Sequence, residues 1–165
     1  MSETAPDAED PRSLLERQDN VAALQDYLDR AIPLITHMGI RVTRVARDGV
    51  RLSAPLGPNR NHIGTAFGGS LHGLATLASW GLLWLLLRET PGMEIVVRES
   101  RMRYTAPARS DLEAFCPTPN PGMLGQFFRN LERRGKAGLE LPSRVECREE
   151  VCADFEGSFV ALRKG

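Results

Sequence analysis

The sequence predicts an α+β domain in which an antiparallel sheet wraps around one long central helix, with N-terminal helices ahead of it. Three observations carry this expectation. Residues 73–87 are nearly all apolar between His72 and Arg88, and a helix that is apolar on most sides has to be enclosed by other elements. Segments on both sides of it alternate apolar and polar residues with period two, the mark of half-buried strands. Helical and strand patterns are also segregated along the chain, which favours an antiparallel sheet over an alternating α/β arrangement.

At 165 residues the chain has room for a single core, assigned to residues 13–165 behind a disordered acidic tail at 1–12. Residues 13–38 read as an N-terminal helical segment. Leu14, Leu15, Val21, Leu24, Leu28 and Ile32 fall near helical spacing, Ser13 stands as a cap ahead of Glu16, and Pro33 ends that helix or starts a second. Ile40 and Val42, then Val50, Leu52, Ala54 and Leu56 beyond the Asp48-Gly49 turn, form a strand hairpin. A Gly- and Asn-rich loop over 57–64 leads into the central helix at 68–89, where Trp80 and Trp84 serve core packing. Strands are expected from Glu94 to Ala106 and from Leu112 to Thr118, the first with Met102 and Tyr104 on one face and Arg101 and Arg103 on the other. Residues 122–135 fit either a short helix or a twisted strand. A closing strand pair follows at 139–150 and 151–163, with Gly157 marking a bulge.

Lys plus Arg and Asp plus Glu both total 21, so no overall field draws the chain to nucleic acid or to an anionic membrane. Residues 1–30 hold eight acids and three bases, which leaves the remainder of the neutral chain at plus five; 19 of its 21 bases are Arg. Cys116, Cys147 and Cys152 form neither a CxxC nor a His-paired metal pattern, and no metal or cofactor is expected. The acidic start lacks the features of a secretory signal, which points to a cytoplasmic protein with free thiols. The apolar run of 73–87 is shorter than the roughly 20 residues a bilayer span needs.

The chemistry concentrates in Asn61, His62, Gly64, Thr65, Phe67, Gly68, Gly69 and Ser70. Two glycines at a helix start let a ligand approach the backbone, and the first-turn amides there lack intrahelical partners and favour negative charge. The amides near Gly69 and Ser70 therefore either hold the oxyanion that develops on a thioester or ester carbonyl, or the glycines only let helix and sheet pack closely. His72, Thr76 and Ser79 share one helix face. Either that stripe lines a cavity, or the hydroxyls bond back to helix carbonyls. His62 and Asn61 sit on the preceding loop, the first as a general base or an idle exposed side chain, the second to orient a water or carbonyl. Arg98, Arg101, Arg103 and Arg109 either contact ligand phosphates or form a solvated face.

The string NHIGTAFGGSL followed by HGLATLASWGLLWLLL resembles the putative thioesterase family of the YiiD C-terminal domain type, in the hot-dog superfamily. The resemblance runs from about Pro33 onward. It implies a hot-dog fold, a homodimer or dimer of dimers, and an acyl-CoA or acyl-carrier thioester site at the subunit interface. The wider thioesterase pattern has an Asn, a Gly three residues on, then His-Gly-Gly and an acidic residue two turns into the helix. Asn61 and Gly64 match it, Phe67-Gly68-Gly69 replaces His-Gly-Gly, and Thr76 stands at the carboxylate position. The resemblance thus implies a thioesterase whose water-activating base is His62 or His72, with Asn61, Gly69, Ser70 and Thr76 around the reacting carbonyl and Gly64, Thr65, Phe67, Gly68 and Ser79 contacting substrate. The alternative is a non-catalytic acyl-binding module that keeps the pocket without the base; a hydratase would need a His and acid pair that the pattern does not supply.

Overall fold

The structure, a computed structural model, describes residues 10–165. The expected tail therefore lies outside the described residues except at its end, where the Asp10 carboxylate accepts from Arg12 N at 3.0 Å and opens a 3-10 turn over Pro11–Glu16. The single N-terminal helix expected from Ser13 is in fact two pieces, because Arg17 is extended and α1 begins only at Asn20 (Asn20–Ala31). Asn20 explains the break: its buried amide donates to Leu14 O at 2.8 Å, turning the chain back on itself, so Asp10 and not Ser13 is the cap. Pro33 does start a second helix, α2 (Leu34–Met38).

The expected hairpin is β1 (Arg41–Ala46) and β2 (Gly49–Ala54), with Leu56 left in the following loop. Next come the central helix α3 (Gly68–Leu87) and the long strand β3 (Met93–Tyr104). Strand β4 (Leu112–Pro117) leads to residues 121–134, which are helical: α4 (Pro121–Arg134) is capped by Asn120 Oδ1, which accepts from Met123 N at 2.9 Å. Leu124, Phe127 and Leu131 of α4 are buried at helical spacing, which a strand would have scattered over two faces. Strands β5 (Lys136–Cys147) and β6 (Glu150–Arg163) close the chain.

All six strands form one antiparallel sheet in the order β1-β2-β4-β5-β6-β3. One face of it curls around α3, which touches every strand from β2 to β3. Alternation sends Leu139, Leu141, Ser143 and Val145 of β5 inward, and Phe155, Gly157 and Phe159 of β6 with them, against Leu74, Ala75, Ala78 and Leu82 of α3. α3 is 20 residues long and apolar enough to cross a bilayer, five residues more than the run visible in the sequence, yet 61% of its most apolar stretch is buried within the protein. It is the core helix. Trp80 and Trp84 are half-buried at its flank, where both rings meet Tyr27 of α1, at centroid distances of 5.7 and 4.9 Å.

The two sheet edges are treated differently. Gln25 of α1 covers β1, its side chain accepting from Val42 N at 2.7 Å and donating to Ile40 O at 3.3 Å. β3, the opposite edge, pairs with β6 on one side only among the described residues, and leaves Val96 46% and Val97 41% exposed.

Gly157 is not a bulge: it pairs in register with Ser100 and Leu141, and the irregularities fall at Val97/Glu99 and Val145/Glu146. It is glycine because a Cβ there would sit 2.6 Å from the ring of Phe159 and 2.7 Å from that of Phe155, both fully buried. Gly157→Ala overpacks this core and is expected to cost about 1–3 kcal/mol, read as a lower urea midpoint at unchanged m-value.

Candidate active site at the start of the central helix

The loop before α3 is a closed ring stapled by one side chain. Arg60 and Ala66 pair as an isolated bridge, Asn61 N donates to Thr65 O at 2.7 Å, and Phe67 N donates to Asn59 O at 2.7 Å. Inside this ring Asn61 Oδ1 accepts from Ile63 N and Thr65 N at 3.0 and 3.1 Å, while its Nδ2 donates to Thr65 Oγ1 at 2.8 Å and Ala66 O at 3.4 Å. An Asx side chain that satisfies local backbone in this way fixes the loop and has little left for a ligand. Thr65 is buried beside it, whereas His62, Ile63 and Gly64 form the exposed tip, Ile63 being 68% exposed. Asn59, which the sequence pattern did not single out, anchors the base of the loop by donating to Met38 O and Pro55 O at 2.8 and 2.7 Å.

Phe67 is the N-cap residue, extended at φ −67° and ψ 134°. Its carbonyl accepts from Ser70 N at 2.9 Å and from Leu71 N at 3.2 Å. The amide expected at Ser70 is therefore already engaged, since the first turn tightens onto the cap. The donors left over lie one residue earlier: among the described residues no group accepts from Gly68 N or Gly69 N. These are orphan amides at the positive end of a 20-residue helix. Gly68 is in the wall of a hollow of about 390 Å³, lined also by Ala66, Leu71 and residues 104–108. Tyr104 closes one side, its hydroxyl donating to Gly68 O at 3.0 Å. Phe67 is 59% exposed and lays its ring over Gly69, where a Cβ would come within 2.4 Å of it.

The polar stripe of α3 does not line one cavity. His72 Nε2 lies 3.0 Å from Ser100 Oγ on β3, and its ring meets Phe155 edge-on at 5.5 Å. Thr76 Oγ1 donates to His72 O at 2.8 Å, bonding back to its own helix. Ser79 is buried in the core, 2.6 Å from Ser143 Oγ of β5. So His72 alone of the three reaches a partner near the helix start, and Ser100 and Tyr104 are polar neighbours that sequence spacing missed. Their signal was faint: both share the inward alternation of β3, in which the notable residues were arginines. Those arginines point the other way, Arg98 donating to Ser158 Oγ at 3.2 Å and Arg103 pairing with Asp154 at 2.9 Å. Among the described residues no group of three His, Cys, Asp or Glu side chains is placed to hold a metal ion.

If Asn61 is the staple of the loop, removing it should loosen residues 62–65 without touching the helix. Asn61→Ala is expected to cost about 1–3 kcal/mol from its stranded partners, with hydrogen exchange accelerated at the Ile63 and Thr65 amides and unchanged in the middle of α3.

The sequence profile described as a putative thioesterase (yiiD_Cterm) matches residues 21–163. Among solved structures, a protein of unknown function from Chlorobaculum tepidum is 30% identical, with a TM-score of 0.85 over 92% of this chain and 99% of that one. A putative thioesterase from Shewanella oneidensis is 28% identical, with a TM-score of 0.78 over 88% of this chain and 99% of that one. A thioesterase from Haemophilus influenzae, 17% identical with a TM-score of 0.71 over 91% and 95%, shares the fold. With its sheet curled around a single core helix and its glycine pair at the helix start, the chain has the hot-dog fold and belongs to the YiiD C-terminal putative thioesterase family.

Proposed function

We propose that this protein hydrolyses an acyl-CoA or acyl-carrier thioester with the carbonyl oxygen held by the amides of Gly68 and Gly69. The observation that carries the reading is this pair of unpartnered donors, the first of them in the wall of an open hollow, in a chain of a thioesterase family. As water adds to the thioester carbon, negative charge grows on the carbonyl oxygen. Fixed N–H dipoles aimed at that position stabilise it more than mobile water does. Collapse of the tetrahedral species re-forms the carbonyl and expels the thiol.

His72 is the base in this reading. It stands one helical turn beyond Gly68, about 6 Å along the axis, and Ser100 Oγ at 3.0 Å from its Nε2 holds the ring against β3. His62, at the exposed tip, is the weaker candidate, and Thr76, bonded back to His72 O, has no hydroxyl proton to spare for water. The absence of a carboxylate at Thr76 favours a second reading, an acyl-binding module without turnover.

A second copy completes the site. The uncovered edge of β3 and the half-buried face of α3 formed by Gly73, Thr76, Leu77, Trp80 and Trp84 lie side by side, and long uncovered strand edges pair readily. Pairing β3 with β3 of the second copy joins two sheets and roofs the hollow.

Release of free thiol from a graded series of acyl-CoA and acyl-pantetheine substrates tests the reaction. His72→Ala is expected to lower kcat by about 10²–10⁴. Gly68→Pro removes one donor where proline is tolerated, because Phe67 is already extended; it should cost about 10²–10³ in kcat. Gly68→Ala, which meets the same Tyr104 ring at 3.3 Å but keeps its amide, should stay within a few-fold. Calorimetric binding of a non-hydrolysable analogue without turnover of any thioester would establish the binding module instead. Light scattering is expected to give a dimer or a multiple of one, and Val97→Glu on the uncovered edge to shift it toward monomer.

A further inference from the structure

Cys147 ends β5 and Cys152 is the third residue of β6, across a two-residue turn at Arg148 and Glu149, both of which have positive φ (50° and 66°). Cys147 pairs with Glu150 across the turn, and the register break at Val145/Glu146 leaves Cys152, two residues on, on the same buried side of the hairpin, where its thiol donates to Glu150 O at 3.5 Å and each thiol shifts the titration of the other. The Cys147 sulfur is also an acceptor for the neighbouring loop. Ser110 N donates to it at 3.2 Å, and the Ser110 hydroxyl lies 2.8 Å away. An array of donors around one sulfur is a cradle for a thiolate. Neither the sequence pattern nor the proposed hydrolysis uses these groups.

We propose that Cys147 and Cys152 form a peroxide-oxidisable dithiol, Cys147 being the sulfur attacked first and Cys152 the sulfur that closes the disulfide. In the first step the Cys147 thiolate attacks one oxygen of hydrogen peroxide. The O–O bond breaks, an S–O bond forms, and the departing hydroxide takes up a proton to leave as water. In the second step the Cys152 sulfur gives up its proton and displaces hydroxide from the Cys147 sulfenic acid, which leaves as a second water. The two thiols lose two electrons and two protons, and the peroxide gains them.

The electrostatics favour this order. Burial pushes the Cys147 thiol up, but the Ser110 hydroxyl, the Arg109 and Ser110 amides and the Cys152 thiol together outweigh it and hold Cys147 below the ordinary thiol range. Cys152 is raised to about 11 by burial and then by the charge on Cys147. Oxidation of Cys147 removes that charge, so Cys152 becomes the better nucleophile when it is needed. Cys147 is also the cysteine with surface access, 8% exposed against 0% for Cys116 and Cys152.

Cys152 holds the segment that walls the hollow, and Cys147 holds Ser110 just beyond it. Thr105 N and Ala106 N donate to Cys152 O at 2.8 and 3.3 Å, and Ser110 hangs on the Cys147 sulfur. Closing the disulfide takes the thiolate away from Ser110 and loosens its amide.

The experiment compares the three cysteines within one molecule. Cys116 is the internal control, its thiol raised to about 11 by burial. Cys147, held below the ordinary thiol range, carries a larger thiolate fraction than Cys116, held above it, and that gain outweighs the accompanying loss of nucleophilicity. Native protein treated with limiting iodoacetamide should therefore label Cys147 at least about tenfold faster than Cys116. Hydrogen peroxide should then yield a Cys147–Cys152 disulfide in non-reducing peptide maps, reversed by dithiothreitol, with faster hydrogen exchange at the Ser110 amide. Cys152→Ser should trap a dimedone-reactive sulfenic acid at Cys147, and Cys147→Ser should leave Cys152 unoxidised. Equal labelling of Cys147 and Cys116, or peroxide treatment that leaves both thiols of the pair free, overturns the proposal. These readouts need no substrate, so they stand or fall separately from thioester hydrolysis.

Discussion

A helix that is apolar but for one thin stripe has to be surrounded, and that requirement organises this protein. α3 buries Leu71, Leu74, Ala75, Ala78, Leu82, Leu83, Leu85, Leu86 and Leu87, far more of its circumference than one flat layer can cover. A sheet bends to enclose it because successive strands twist and because small residues at the contact allow close approach. Hydrophobic burial at about 25 cal/mol per Å² acts along the whole length of the helix, so sheet and helix form as one unit. The terminal elements fill what the sheet leaves open: α1 closes one flank and caps the edge of β1 through Gln25, and α4 packs on β5.

That same requirement leaves the start of the helix open. Wrapping stops where the helix begins, since the first turn must receive the incoming loop. The loop is held rigid by Asn61 and Asn59, and the chain enters α3 through an extended Phe67 with its carbonyl turned into the helix. Two amides are left without partners at the positive end of a long dipole, and the first of them borders a hollow whose far wall is the 104–108 segment. Rigidity matters here more than donor strength, because preorganised dipoles stabilise a developing charge without having to reorient. In the proposed hydrolysis the staple and the donors have separate roles: Asn61 shapes the approach, and Gly68 and Gly69 present the backbone.

The fold leaves one side unfinished. β1 is sealed by a side chain from α1, whereas among the described residues β3 has no partner on its outer side, and the half-buried strip of α3 runs alongside it. The asymmetry between the edges gives a physical reason for association that does not depend on the site. It also bears on the chemistry, because a hollow open to solvent weakens every electrostatic interaction within it. Covering that strip with a second sheet would raise the effect of the same two amides.

Much of this was legible in the chain alone. The central helix, the hairpin at Asp48-Gly49, the long strand before Tyr104, the closing strand pair and the glycine pair at the helix start all follow from period and turn chemistry, which are local properties. What the sequence left open or misplaced depended on partners distant along the chain. Residues 122–135 resolved into a helix once Leu124, Phe127 and Leu131 found a common surface. The N-terminal helix broke because Asn20 buried its amide against Leu14 O. Gly157 reads as a bulge from its neighbours, but its small size is set by two aromatic rings. The stripe of His72, Thr76 and Ser79 is one face of a helix by arithmetic, yet a sheet curving around that helix gives each of the three a different neighbour. Periodicity fixes which residues share a face; only the packed structure decides what that face meets, because hydrogen-bond partners and free amides are settled by geometry between elements and not within them.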